Sequence, residues 1–180
     1  MSKKGSAWER EFCTLLSTWW TGGTRDDVFW RSSQSGGRAT SRFKKGRRTA
    51  GSYGDICALD PIGQPLLDFV TIEAKRGYTA STLHDILDSP GRTQQKWESW
   101  MDQAQRSAEQ AGSISWLIVA RRDKRKAIVV MPAETVRRIM GYATMNTLFI
   151  RFSAGKEIYA VTLDAFFAEV SPKMIRELLP

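Results

Sequence analysis

The sequence has few of the residues that build zinc sites, disulfide frameworks or membrane anchors. It contains two cysteines, Cys13 and Cys57, and one histidine, His84. These three side chains cannot complete a four-ligand zinc site, and two isolated cysteines favour a reducing, cytoplasmic setting. No apolar run approaches the roughly 18 to 20 residues that span a membrane, and the charged N-terminus lacks the apolar core of an export signal. We therefore expect a globular protein of the cytoplasm of a bacterial, archaeal or phage-infected cell.

Acidic residues are missing from the interval between Asp27 and Asp55, which is strongly basic. The whole chain carries a formal net charge of +8, and such a balance favours a polyanionic partner. The interval has almost no apolar residues, so positions 33–53 are predicted to form a basic loop. A charged loop is often only a solvated surface, but its place just before a group of carboxylates favours phosphate binding. Its cations are Arg31, Arg38, Arg42, Lys44, Lys45, Arg47 and Arg48.

Hydrophobic periodicity predicts an α/β protein with a mixed central β-sheet flanked by helices. No linker or internal repeat divides the sequence, so residues 1–180 are expected to form a single domain. Its end, from about 145 to 180, is predicted to be an extension made of a β-hairpin and short helices. Six of the seven tryptophans are assigned mainly to the core. Trp30 is also assigned there, with DNA contact as the alternative.

Two predicted helices frame the first half of the chain. Residues 6–20 have the spacing of an amphipathic helix, for which Ser6 and Glu9 would form a capping box. Residues 92–110 form the second predicted helix. The basic segment Arg121–Lys126 lies between two predicted strands, where it is either a second phosphate contact or a solvated hairpin tip.

Three charged residues stand at the ends of two predicted strands, 54–59 and 66–75. The turn residues between the strands favour an antiparallel hairpin, which would bring Asp55 close to Glu73. Side chains two positions apart on a strand share a face, so Glu73 and Lys75 lie together. A divalent cation is a natural partner for such carboxylates, and Mg²⁺ or Mn²⁺ suits oxygen ligands. The Ala74 carbonyl is a further candidate ligand, and Lys75 is expected to orient the attacking water or to stabilise charge on a phosphoryl group.

These motifs resemble the PD-(D/E)xK nuclease superfamily. Asp55 is followed by Glu73-Ala74-Lys75, and Glu9 lies in the preceding helix. Within the superfamily the likeness is greatest to archaeal-type Holliday junction resolvases, because residues 5–11 read GSAWERE and the next predicted strand ends in Arg31-Ser32.

The resemblance implies a restriction-endonuclease-like core and a metal-dependent endodeoxyribonuclease. It implies that Glu9, Asp55 and Glu73 are metal-site carboxylates and that Lys75 is the catalytic lysine. Arg31 would be an active-site or phosphate contact, and Ser32 would lie with it at the DNA. A resolvase cuts two symmetric strands, so the resemblance also implies a homodimer.

The sequence departs from the resolvase pattern in three places. The stretch from Ser33 to Gly54 is a long basic insertion, and the residue before Asp55 is glycine rather than the common proline. The half after Lys75 does not align, although Gln95 resembles the glutamine of a supporting helix in many superfamily nucleases. An ordinary polar position is the alternative for Gln95.

Two other functions remain open beside the resolvase. One is a restriction-type, phage or mobile-element endonuclease that acts on duplex DNA and clamps a groove with the basic loop. The other is a DNA-binding recombination accessory protein that keeps the fold without cutting. The presence of Glu9, Asp55, Glu73 and Lys75 together argues against the second.

Overall fold

The computed structural model describes residues 3–32, 53–77, 81–88, 90–140, 146–152 and 155–179. The basic positions from Arg38 to Arg48 lie outside these ranges. The helices are α1 (Lys3–Trp20), α2 (Gln64–Phe69), α3 (Asp85–Asp88), α4 (Pro90–Ala111), α5 (Ala133–Met140), α6 (Leu163–Glu169) and α7 (Pro172–Arg176). The strands are β1 (Phe29–Arg31), β2 (Ile56–Ala58), β3 (Val70–Arg76), β4 (Ser115–Arg121), β5 (Ile128–Pro132), β6 (Leu148–Arg151) and β7 (Glu157–Thr162).

Five strands form a mixed central sheet in the order β3-β4-β5-β7-β6. Strands β3 and β4 are parallel, and the other neighbours are antiparallel. The predicted hairpin near the C-terminus consists of β6 and β7, and it joins the sheet through β5. The α/β class with a mixed sheet is confirmed, and the architecture is consistent with a restriction-endonuclease-like core. None of the described helices is long and apolar enough to cross a membrane.

The core lies on both faces of the sheet. Helix α1 packs on one face with residues such as Val119, and the Trp97–Trp100 face of α4 packs on the other with Ile118. Ile118 and Val119 are neighbours on β4, so the alternation of side chains along a strand divides them between the two layers. Trp30 is 44% exposed, so its assignment to the core was wrong.

The predicted hairpin of 54–59 with 66–75 is wrong. Strand β2 pairs with β1 in a separate two-stranded sheet, and residues 64–69 form α2 rather than the start of a strand. Proline at the start of α2 favours a helix because its fixed φ suits the first turn. Leu66 and Phe69 are both buried, at the three-residue spacing of one helix face.

The approach of Asp55 to β3 depends on Gly54. The Asp55 backbone N–H donates to the Ile72 carbonyl at 2.8 Å, and the Ser32 N–H donates to the Asp55 carbonyl at 2.8 Å. Gly54 has φ +77°, and a Cβ there would lie 2.7 Å from the Ile72 oxygen. Proline cannot adopt this φ, because its ring holds φ near −65°. The glycine before Asp55 is therefore a requirement of the local backbone.

The predicted capping box at Ser6 and Glu9 is also wrong. Helix α1 begins by Lys3, so Ser6 lies inside it and cannot act as its N-cap. The Glu9 carboxylate instead contacts Arg31. Helix α4 ends as expected, since Gly112 follows it with φ +80° and donates its N–H to the Ala108 carbonyl.

Replacing Gly54 with alanine tests the closeness of this backbone to β3. We expect Gly54→Ala to lower the free energy of unfolding by about 3 kcal/mol, because it adds a clash with backbone to the strain of a positive φ. Gly23→Ala is the matched control, since Gly23 has φ +89° with nothing within 4 Å of the added carbon, and it should cost only about 1 kcal/mol. Urea unfolding measures both, and equal losses would contradict the argument.

Candidate active site

Strand β3 places Glu73 and Lys75 on the face that α4 covers. Glu73 is 2% exposed and Lys75 is 9% exposed. The Lys75 ammonium lies 2.9 Å from Glu73 Oε2, so the two form a buried ion pair. The shared face of these residues is as the alternation of a strand predicts.

Helix α4 supplies two further donors to Glu73. Gln103 Nε2 donates to Glu73 Oε2 at 2.8 Å, and Ser107 Oγ donates to Oε1 at 3.1 Å. Gln103 also accepts a hydrogen bond from Lys75 Nζ at 3.2 Å. Residues four apart on a helix lie on one face, so Gln103 and Ser107 approach the strand together. The buried carboxylate is thereby hydrogen-bonded on both oxygens, as buried charge requires.

Gln95 and Gln103 are both exposed, but Gln103 is the one that donates to Glu73 and supports the site. The sequence contained a signal for this choice. Gln103 and Ser107 are polar residues directly beside Ala104 and Ala108, which are buried in the core. A polar pair at the border of an apolar helix stripe indicates a buried polar partner, and here that partner is Glu73.

Asp55 meets β3 through its side chain as well as its backbone. The Ala74 N–H donates to Asp55 Oδ2 at 2.8 Å. The pKa of Asp55 rises from the ordinary 3.8 to about 7, chiefly because of burial and then because of the negative charge of Glu73, with a smaller contribution from Glu9. The Ala74 N–H and the Lys75 ammonium oppose this rise in pKa. Asp55 and Glu73 are therefore an electrostatically coupled pair of carboxylates.

Glu9 and Arg31 form a second ion pair beside these residues. Arg31 Nε lies 2.6 Å from Glu9 Oε2, and the Glu9 side chain is 7% exposed. The pair joins α1 to β1. Ser32 follows on the chain and is buried, with its backbone N–H bound to the Asp55 carbonyl. The structure thus brings Glu9, Arg31 and Ser32 to the Asp55 side of the site.

The donor set at Asp55 and Glu73 fits a divalent cation held by two carboxylates. Among the described residues, no three His, Cys, Asp or Glu side chains are grouped to hold a metal, and Glu9 is turned toward Arg31. Within the same ranges, no hydrogen bond reaches Asp55 Oδ1, and Glu73 Oε1 accepts only one. The N–H and C=O of one strand residue point to the same side, so the Ala74 carbonyl faces the Asp55 edge. Mg²⁺ is commonly bound by one or two carboxylates together with waters and substrate phosphates.

The remaining predicted DNA contacts fall outside the described residues. They are Arg38, Arg42, Lys44, Lys45, Arg47 and Arg48. Arg31 is the member of the predicted basic set that the structure places at the site.

The fold and the site together define a PD-(D/E)xK nuclease core, in which Asp55 lies against the strand that carries Glu73 and Lys75. A family model described as "phage putative PDDEXK endonuclease" matches residues 1–177, and the chain belongs to this family. No curated protein and no solved structure matches the chain. The family supports the predicted superfamily and a nuclease, and nucleases of this superfamily generally use divalent metal ions. It shows no particular likeness to archaeal-type resolvases.

Gln103 and Gln95 of α4 allow a test of the support around Glu73. We expect Gln103→Ala to lower the free energy of unfolding by about 2 kcal/mol, because a buried carboxylate loses a hydrogen bond and Lys75 loses an acceptor. Gln95→Ala, on the exposed face of the same helix, should change it by less than about 0.5 kcal/mol. Chemical denaturation measures both variants, and equal effects would remove Gln103 from the site.

The raised pKa of Asp55 predicts how stability without metal depends on pH. The folded state binds the Asp55 proton more tightly than the unfolded state, so this stabilisation is complete below about pH 4 and is lost as pH rises through about 7. Asp55→Asn removes the dependence. Its gain in unfolding free energy over the parent protein should grow with pH and reach about 4 kcal/mol above pH 7.

Thermal and urea unfolding in a metal chelator, measured across this pH range, checks the prediction. Asp26→Asn removes one negative charge from an exposed position and serves as the control for net charge. A gain at Asp55→Asn that does not change with pH would contradict the raised pKa of Asp55.

Proposed function

We propose that the protein is a Mg²⁺-dependent endodeoxyribonuclease that hydrolyses phosphodiester bonds at the Asp55–Glu73–Lys75 site, with Mn²⁺ able to substitute. One observation supports this above the others. The Asp55 carboxylate accepts a hydrogen bond from the backbone N–H of Ala74. Glu73 and Lys75, the residues directly before and after Ala74, form an ion pair. Two carboxylates and an ammonium group thus meet at one point of the sheet edge.

Each residue has a distinct part in this proposal. When bound by Asp55, Glu73 and the Ala74 carbonyl, the cation supplies a water of lowered pKa and offsets charge developing on the phosphate. Lys75 is held by Glu73 and Gln103, so its position does not have to be organised during the reaction. From there it orients the attacking water or stabilises the phosphoryl oxygens.

Glu9 and Arg31 act as a pair in the proposed site. Arg31 is the phosphate contact, since a guanidinium offers five N–H donors in a planar fork. Glu9 accepts from Arg31 Nε at 2.6 Å and so fixes the direction of the fork. In this arrangement Glu9 positions Arg31, and the cation is held mainly by the other two carboxylates.

The preferred substrate is branched DNA, as for a Holliday junction resolvase acting as a homodimer. The supporting features are the GSAWERE helix at 5–11 and the Arg31-Ser32 strand end. A phage endonuclease that acts on duplex DNA is the second candidate, and the family description is compatible with it. The net charge of +8 suits either substrate.

A panel of DNA substrates tests the function. The purified protein with Mg²⁺ is incubated with a four-way junction, a flap and a linear duplex of matched sequence. We expect paired, symmetric cuts in the junction, because a homodimer presents two equivalent sites. Cutting of the duplex alone would select the second candidate. Failure to cut any DNA with Mg²⁺ or Mn²⁺ would leave a non-cleaving binding protein and overturn the proposal.

The same panel includes variants of the site. Asp55→Ala and Glu73→Gln should each lower the cleavage rate by at least about a hundredfold while DNA binding persists. Asp68→Ala is the control, since Asp68 is an exposed carboxylate just before β3, and it should cleave normally. Full activity of Asp55→Ala would refute the site assignment.

A further inference from the structure

A cavity of about 240 Å³ opens beside Lys75. It lies on the face of the sheet that α4 covers. Its apolar walls come from Leu83, Trp97, Trp100, Ala120 and Ile128, and basic residues including Arg122 and Arg125 line it as well. None of these residues takes part in the ion pairs around Asp55 and Glu73.

The cavity is next to the proposed chemistry because of the strand register. Lys75 on β3 is paired with Ala120 on β4, and adjacent strands lie about 4.8 Å apart. Lys75 itself lines the cavity. A molecule bound in the cavity would therefore lie about one strand spacing from Lys75, which faces the scissile phosphate in the proposed function.

The aromatic part of the wall is held in place. The rings of Trp97 and Trp100 meet edge to face with centroids 4.9 Å apart. Trp97 Nε1 donates to the Ser81 carbonyl at 3.2 Å. Trp97 is 2% and Trp100 8% exposed, so these rings close the inner end of the cavity, and the half-buried Leu83 and Ile128 give a flat apolar occupant its contact surface. Because these groups are already fixed, binding does not have to order them first.

The basic part of the wall suits phosphate. Arg121 is turned to the other face of the sheet, where its guanidinium lies 5.0 Å from the centre of the Trp8 ring and is paired with Glu11, so the phosphate contact falls to Arg125, which lines the cavity. Arg125 is exposed, and among the described residues it has no ion pair. The neighbouring carboxylates are engaged with cations, Asp123 with Arg76 and Asp164 with Lys126.

We propose that this cavity receives one unpaired nucleobase of the DNA, with an adjoining phosphate on Arg125. Its volume is below the roughly 300 Å³ at which pockets for drug-sized ligands begin, so the occupant is small. Stacking surfaces beside cations are the usual means of holding single-stranded nucleotides. The inference rests on the proposed nuclease function, because the scissile phosphate at Lys75 is what brings the DNA there.

Binding of three duplexes to the full chain, with a chelator present to prevent cleavage, tests the proposal. One duplex is fully paired, the second has a single-nucleotide bulge, and the third has the same bulge without its base. We expect the bulge to bind about tenfold more tightly than the paired duplex, the order of one stacked base. The abasic bulge should lose this gain, because its backbone is equally distorted but nothing fills the cavity. Equal affinity for the two bulges would overturn the proposal.

A cavity-filling variant locates the effect. Ala120→Phe places a ring inside the cavity and should abolish the preference for the bulge while leaving affinity for the paired duplex unchanged. Ala111→Phe adds the same ring at an exposed position of α4, about 16 Å along the helix from Trp100, and should retain the preference. Retention of the preference by a folded Ala120→Phe, with folding checked by circular dichroism, would overturn the assignment to this cavity.

These results are independent of cleavage. If the protein prefers the bulge that carries its base but cuts no DNA, the proposed role of the cavity is supported and the proposed nuclease function is refuted. Cleavage with Mg²⁺ but without the preference would uphold the nuclease and refute the cavity.

Discussion

Two hydrogen bonds between Asp55 and the outer side of β3 hold the site together. Strand β3 is at the edge of the five-stranded sheet, and such an edge presents unpaired N–H and C=O groups. Asp55 pairs with one C=O and one N–H of this edge. Its backbone N–H donates to the Ile72 carbonyl, and its carboxylate accepts from the Ala74 N–H. The contact that covers the edge of the sheet is therefore the same contact that brings a carboxylate to Glu73. The positive φ of Gly54 is the backbone condition for both.

The two carboxylates at this edge receive different numbers of hydrogen bonds, so their electrostatic environments differ. Glu73 is hydrogen-bonded by Lys75, Gln103 and Ser107. The Asp55 carboxylate has a single donor from a described residue, the Ala74 N–H, and burial next to Glu73 raises its pKa to about 7. A bound cation opposes that rise in pKa, because its positive charge favours the ionised carboxylate.

Local patterns predicted the site better than they predicted the pairing around it. The period of two along a strand placed Glu73 with Lys75, and it does not depend on neighbouring elements. The hairpin prediction failed because the sequence of a short apolar run such as 66–75 fits either a helix or a strand. Here Pro65, in the first turn of α2, favours a helix, and α2 ends just before β3. The closeness of Asp55 to Glu73 was right for another reason, since it comes from Gly54 and the β3 edge. Gln103 was missed because the choice between α4 glutamines depends on which face meets the sheet.

The parallel pairing of β3 and β4 links catalysis to DNA recognition. The C-terminal ends of parallel strands meet at one edge of a sheet, so Lys75 and Arg121, at the ends of β3 and β4, emerge there together. The proposed catalytic group and the cations of the Arg121–Lys126 segment thus reach the DNA from one side. The proposed binding of an unpaired base in the cavity between them would respond to the shape of the DNA rather than to its sequence. Such a response distinguishes branched or distorted DNA from an intact duplex by the cost of unpairing a base, which is least where pairing is already broken.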